Sequence, residues 1–106
     1  MDLRNRKATC GDCMKSIVQD LENARCYVCG SRRNLELHHI MHGTANRRLS
    51  TSLGLTCWLC YFHHRSNHGV HSDSDLNRQL QQAAQTAFER THTRAEWMKV
   101  FGKNYL

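Results

Sequence analysis

Cys26-Tyr27-Val28-Cys29-Gly30 and Cys60-Tyr61-Phe62-His63 are the segments that most restrict how this chain folds. A C-x-x-C turn closed by glycine frees backbone N–H groups to face two sulfurs, which makes it one half of a tetrahedral zinc site. The downstream pair supplies the other half, so the two segments must meet in space. The chain has only 106 residues, 40% of them apolar. A domain of that size buries a small core and gains much from a metal cross-link.

Other pairings compete for the same ion. Cys57-x-x-Cys60 offers a second half made of thiolates alone, and Cys10-x-x-Cys13 with Cys26-x-x-Cys29 forms a compact finger. The set Cys26, Cys29, Cys60 and His63 is preferred. Choosing Cys57 leaves His63 without a task, whereas a buried cysteine in a strand needs none. A thioredoxin-like redox role is weak, because no βαβ pattern surrounds either C-x-x-C. Met1-Asp2-Leu3-Arg4-Asn5-Arg6-Lys7 has no apolar run behind it, so no secretory signal is expected and the chain is placed in the cytoplasm. Thiols stay reduced there, and the 6 cysteines point to metal rather than disulfides. No segment approaches the ~20 apolar residues of a membrane span, so no membrane partner is expected.

The formal charge is +6, with basic runs at Arg4-Asn5-Arg6-Lys7, Arg32-Arg33 and Arg47-Arg48. A polyanion, most simply nucleic acid, is the natural partner. Residues 1–13 read as a flexible basic extension, and Met14 as a possible internal start, with a single domain over 14–106. Ser16 and Gln19 stand at capping-box spacing ahead of Ile17, Val18, Leu21 and Ala24, predicting a short helix over 16–24. Asn34 to Ile40 alternates as a strand, residues 41–52 read as a polar loop, and Leu53 to Leu59 is a second strand. A short helix is expected from Cys60 to about Gly69. In the helical part, 73–102, Leu76, Leu80, Ala83, Ala84, Ala87 and Phe88 recur at helical spacing behind Asp73 or Ser74. Thr93 and Glu96 cap a last helix carrying Trp97, Met98, Val100 and Phe101 and ending at Gly102. These two helices are read as packing elements.

The histidines carry the chemistry. His38 and His39 end the first strand, and His64 and His68 stand at i, i+4 on the short helix, where side chains share a face. Neighbouring strand residues point to opposite faces, so of His38 and His39 one binds metal and the other is free. His42, His71 and His92 are read as surface or structural histidines, with His71 the nearest of them to the helix end.

Cys26/Cys29, His38-His39-Ile40 and Cys60-Tyr61-Phe62-His63-His64 together resemble the HNH endonucleases, the ββα-metal nucleases. His38, His39, His64 and His68 look like the His-His…His-x-x-x-His version in the colicin DNases. The resemblance covers residues 26–68, and the whole chain is similar to small HNH proteins of phages and prophages. The resemblance implies an α+β fold: a small ββα-metal core with a zinc knuckle, flanked here by an N-terminal helix and two C-terminal helices. It also implies that His38, His64 and His68 hold a catalytic divalent metal and that His39 is the general base. Hydrolysis of DNA would then leave 5′-phosphate and 3′-hydroxyl ends.

Three imidazoles suit Zn, Ni, Mn or Co, while Mg supports catalysis with weaker binding. Arg65 would hold a phosphate near the break, with Arg47 and Arg48 tracking the backbone. The phage setting suggests packaging or recombination proteins as partners. The family's asparagine before the second strand has no counterpart in Ser52-Leu53-Gly54-Leu55, which leaves Asn46 or a backbone group to steady the histidine loop. A zinc-stabilised nucleic-acid-binding module without catalysis is the alternative, and it leaves His39 idle. A metal-buffering protein explains the cysteines but not the histidine spacing.

Overall fold

The computed structural model describes residues 15–106, and the expected basic extension with Cys10 and Cys13 lies outside them. The element order is β1 (Leu35–His39), α1 (Thr44–Leu53), β2 (Thr56–Cys60), α2 (Tyr61–His64), α3 (Ser74–Phe88) and α4 (Arg94–Phe101). This is a small α+β chain in which two antiparallel strands and four helices form the regular structure of the described residues. Leu35 pairs with Cys60, His38 with Cys57 and His39 with Thr56, so the histidine end of β1 faces the beginning of β2. Among the described residues, no helix is long and apolar enough to cross a membrane.

Two expected elements take another form, and the helix expected from Cys60 to about Gly69 is cut to Tyr61–His64. Residues 16–24 do not form a helix. Ser16 Oγ does accept the Val18 and Gln19 N–H groups, as a cap would. Gln19, however, spends its amide elsewhere: Nε2 donates to Arg25 O (2.7 Å) and Oε1 accepts the Trp58 N–H (2.8 Å). With the Ile17 N–H on Gly54 O and the Trp58 indole N–H on Leu21 O, the segment runs beside β2 and satisfies its free edge.

The second difference is α1, where a polar loop was expected. Arg47, Arg48 and Ser52 are exposed and Thr51 is half-buried, while Leu53 packs against the core and Ser50 is fully buried. Gly54 ends the helix in the left-handed region (φ 73°), its N–H returning to Ser50 O and Thr51 O.

The C-terminal helices match the sequence pattern. Asp73 accepts the Asp75 and Leu76 N–H groups at the start of α3, and Thr93 and Glu96 form a reciprocal capping box on α4. Leu80, Ala84 and Phe88 of α3 and Trp97 of α4 join Ile40, Leu55, Cys57 and Leu59 in one core. Met98 and Val100 stay exposed, so Trp97 alone of the α4 apolar residues is fully buried. This core fixes the sheet on which both sites are built.

Candidate metal centre and histidine cleft

The ligand atoms of Cys26, Cys29, Cys60 and His63 all lie within 4.8 Å of one another. Cys26 Sγ is 3.7 Å and Cys60 Sγ 3.4 Å from His63 Nδ1, and Cys29 Sγ is 3.8 Å from Cys60 Sγ. Zinc–sulfur bonds of ~2.3 Å at tetrahedral angles place sulfurs ~3.8 Å apart, so the spacing suits that ion. The group can therefore hold a metal such as zinc.

The knuckle is built locally. The Gly30 N–H closes the turn on Cys26 O (2.8 Å) with φ at 80°, and the Tyr27 N–H ties the turn to Trp58 O of β2. Burial pushes the Cys26 thiol pKa up, but the backbone N–H groups of Cys60, Cys29 and Val28 outweigh it and bring it below the ordinary value. Cys57, the rival ligand, points into the core from β2. Burial, with Cys26 nearby, raises its pKa to about 12, and it lies outside the group.

On the other side of α2, an open cleft of about 560 Å³ is lined by His38, His39, His42, His64 and His71 together with Glu36, Gly43, Arg47 and Arg65. The ligand atoms of His38, His64 and His71 again fall within 4.8 Å of one another. His38 is buried, and its Nε2 has no hydrogen-bond partner among the described residues. A buried ring nitrogen beside two further imidazoles has the chemistry of a metal ligand, and the three together could hold a cation. Burial, reinforced by His64, His42, His71 and His39, drives the His38 pKa down to about 3, so the ring is neutral at pH 7. Burial and then His64, His42 and Arg65 also lower His71.

The third imidazole is where the structure departs from the sequence reading. His68 is not in the group: helix α2 stops at His64, and the His68 ring stacks on Phe62 (centroids 5.1 Å, 17°). The i, i+4 relation therefore never forms. Instead the chain doubles back at Gly69, where a Cβ would stand 2.7 Å from the carbonyl carbon of His64. Only glycine permits that approach. The Val70 N–H then reaches His63 O (2.8 Å), and His71 is delivered beside His64, ring centroids 4.9 Å apart.

Three more residues of the site escaped the sequence pattern. Glu36, two residues before His38, accepts His64 Nδ1–H at 2.7 Å and Arg65 Nε–H at 2.6 Å. The bond leaves His64 Nε2 unprotonated in the neutral ring, the form a ligand needs. Arg65 first, and His64 second, hold the Glu36 carboxyl below its usual value. His42 faces His38 (5.4 Å) and His71 (5.6 Å) and donates from Nε2 to Asn77 Oδ1 of α3 (2.8 Å). Ser50 does the steadying expected of Asn46 or a backbone group. Its hydroxyl accepts the Met41 N–H (3.1 Å) and donates to Met41 O (3.3 Å), while the Ile40 N–H meets Leu55 O.

His39 lines the cleft but stands outside the metal-binding trio. Its half-burial, and then Arg47, lower its pKa, which keeps a free neutral imidazole available. Arg65 and Arg47 line the cleft, whereas Arg48 is exposed outside its lining.

Glu36→Gln keeps the size of the side chain and weakens the hold on His64. It is expected to lower the affinity of the cleft for a divalent metal by about 10–100-fold, read by calorimetry with Ni²⁺, and to leave the Cys26 site loaded. Unchanged affinity would show that Glu36 serves Arg65 alone.

Comparison with protein-family models, curated proteins and solved structures found no match for this chain.

Proposed function

We propose that the chain is a metal-dependent DNA endonuclease of HNH, ββα-metal type, which nicks or cuts phosphodiester bonds and carries a zinc at Cys26, Cys29, Cys60 and His63. One observation carries the reading. A single cleft combines three imidazoles placed to share an ion, a fourth outside that group, and two arginines that suit phosphate.

His38, His64 and His71 would hold a divalent metal, which would supply stabilisation of the negative charge that develops in the reaction. His39 takes a proton from water as the water oxygen attacks phosphorus. The phosphorus–O3′ bond breaks and the 3′ oxygen leaves with the bonding pair and takes up a proton from solvent water, giving 5′-phosphate and 3′-hydroxyl ends. Arg65, steadied by Glu36, and Arg47 contact the phosphates. Such contacts carry no base readout, so cleavage with little sequence preference follows.

The test is supercoiled-plasmid nicking by the purified protein with Mn²⁺, Mg²⁺, Ni²⁺ or Co²⁺. His39→Ala is expected to cut the rate by about 10²–10⁴-fold, the span of a lost general base, with metal content and DNA affinity retained. Equal cleavage by His39→Ala would remove the base. A wild type inert with every metal would leave the zinc-stabilised nucleic-acid-binding module as the reading.

A further inference from the structure

Two large aromatic side chains of the short helix α2 stand in water. Tyr61 and Phe62 are 56% and 52% exposed, whereas Phe88 and Trp97 are buried. The cause lies in the next two residues. His63 turns to the cysteines and His64 to Glu36, and successive residues of a helix point about 100° apart. With those two committed to the two sites, Tyr61 and Phe62 are left facing solvent.

The exposed rings continue the histidine cleft. Arg65, which lines it, closes its N–H on Tyr61 O (2.9 Å) and so stands one turn from Tyr61 on the same face. The two side chains interact electrostatically. Phe62 lies nearly parallel to the exposed His68 ring (centroids 5.1 Å, 17°), which fixes the plane of the phenyl group. From Tyr61 to Ser72 the sequence holds no acidic residue, and the carboxylate lining the cleft, Glu36, is already taken by His64 and Arg65. Flat apolar faces beside a basic, acid-free stretch suit an unpaired base on a phosphate strand.

We infer that Tyr61 and Phe62 form a stacking platform for unpaired bases of a DNA strand whose phosphates enter the histidine cleft past Arg65. The choice of DNA rests on the nuclease reading; the platform adds that single-stranded or locally opened DNA is the preferred form. Bases paired in a duplex are stacked on one another, whereas every unpaired base has a free face to offer a ring. Such stacking is tolerant of sequence, so the platform selects the form of the strand rather than its letters. It also gives His68, which the cleft does not use, a place behind Phe62.

The experiment measures binding by the zinc-loaded full chain, with no second metal added, to a short DNA single strand carrying a fluorescent purine analogue and to the same sequence as a duplex. Tyr61→Leu and Phe62→Leu keep apolar bulk and remove the flat ring, and both sites are exposed, so the fold stands. Each is expected to weaken single-strand binding about tenfold, the scale of one base–aromatic stack, and to relieve quenching of the analogue, with duplex affinity changed less than about twofold. Phe62→Tyr, which restores a ring, should bind as wild type, and Met98→Ala, at an exposed site on α4, should change nothing. Equal losses on single strand and duplex, or quenching that survives both leucine substitutions together, would overturn the platform. So would a wild-type dimer in sedimentation that the leucine variants dissociate without a change in DNA affinity, which would give this face to a second copy of the chain. A wild type that stacks the analogue but cleaves no DNA with any divalent metal would sink the nuclease reading and uphold the platform. Cleavage of single strand and plasmid alike by both leucine variants at wild-type KM would do the reverse.

Discussion

His71→Ala should lower the affinity of the histidine cleft for a divalent ion by more than ~100-fold and abolish metal-dependent cleavage, while His68→Ala leaves both near wild type. His71 brings one of the three ligand atoms that lie within 4.8 Å of one another, and a site reduced to His38 and His64 loses a third of its protein donors. The effect on chemistry should be larger than on folding, because the His71 ring is exposed and leaves no cavity behind. His68 donates nothing to the cleft; its ring rests on the exposed Phe62. Calorimetry with Ni²⁺ or Mn²⁺ on the zinc-loaded proteins separates the two sites, since the Cys26 group is already filled. Should His68→Ala lose the metal and His71→Ala keep it, the helix must extend past His64 when the ion binds, and the arrangement found here would not be the working one.

The contrast between these two histidines shows what the sequence could convey. Spacing rules assume a regular element, and His64 to His68 fit helical spacing only if the helix continues. The decisive residue was Gly69, whose lack of a Cβ allows the chain to pack on the His64 carbonyl and turn back. Nothing in a one-dimensional pattern marks a glycine as a close approach rather than a loop residue. The same limit hid Glu36. Its partners His64 and Arg65 are remote in sequence, brought close by the pairing of β1 with β2 and the immediate start of α2.

Where local chemistry decides, the reading held. The Thr93–Glu96 box, the Asp73 cap and the α3 stripe all involve neighbours within a few residues. The strand pair also stands where the alternation placed it, with its second strand starting later, at Thr56. In both 16–24 and 44–53 a polar side chain serves a partner outside its own segment. Gln19 is drawn off to Trp58, and Ser50 is buried to hold Met41. A buried polar residue with a distant partner looks like a surface residue until the partner is known.

Cys26→Ser should unfold the protein, with loss of about one zinc per chain by elemental analysis and of cooperative thermal melting. The knuckle joins the segment before β1 to the end of β2 and the start of α2, and His63 of that site is followed directly by His64 of the cleft. Structural zinc contributes on the order of 10 kcal/mol to small domains, comparable with a whole domain's stability of ~5–15 kcal/mol. Removing one thiolate therefore removes the link between the knuckle turn and the β2–α2 junction. The cleft should be disturbed with it, because His64 follows His63 directly. Cys57→Ala and Cys10→Ser supply the contrast. The first replaces a neutral buried thiol and should keep its zinc at a modest loss of stability, and the second should change neither. Zinc loss in Cys57→Ala with zinc retained in His63→Ala would exchange the fourth ligand, moving the ion toward the sheet and freeing His63 for the cleft.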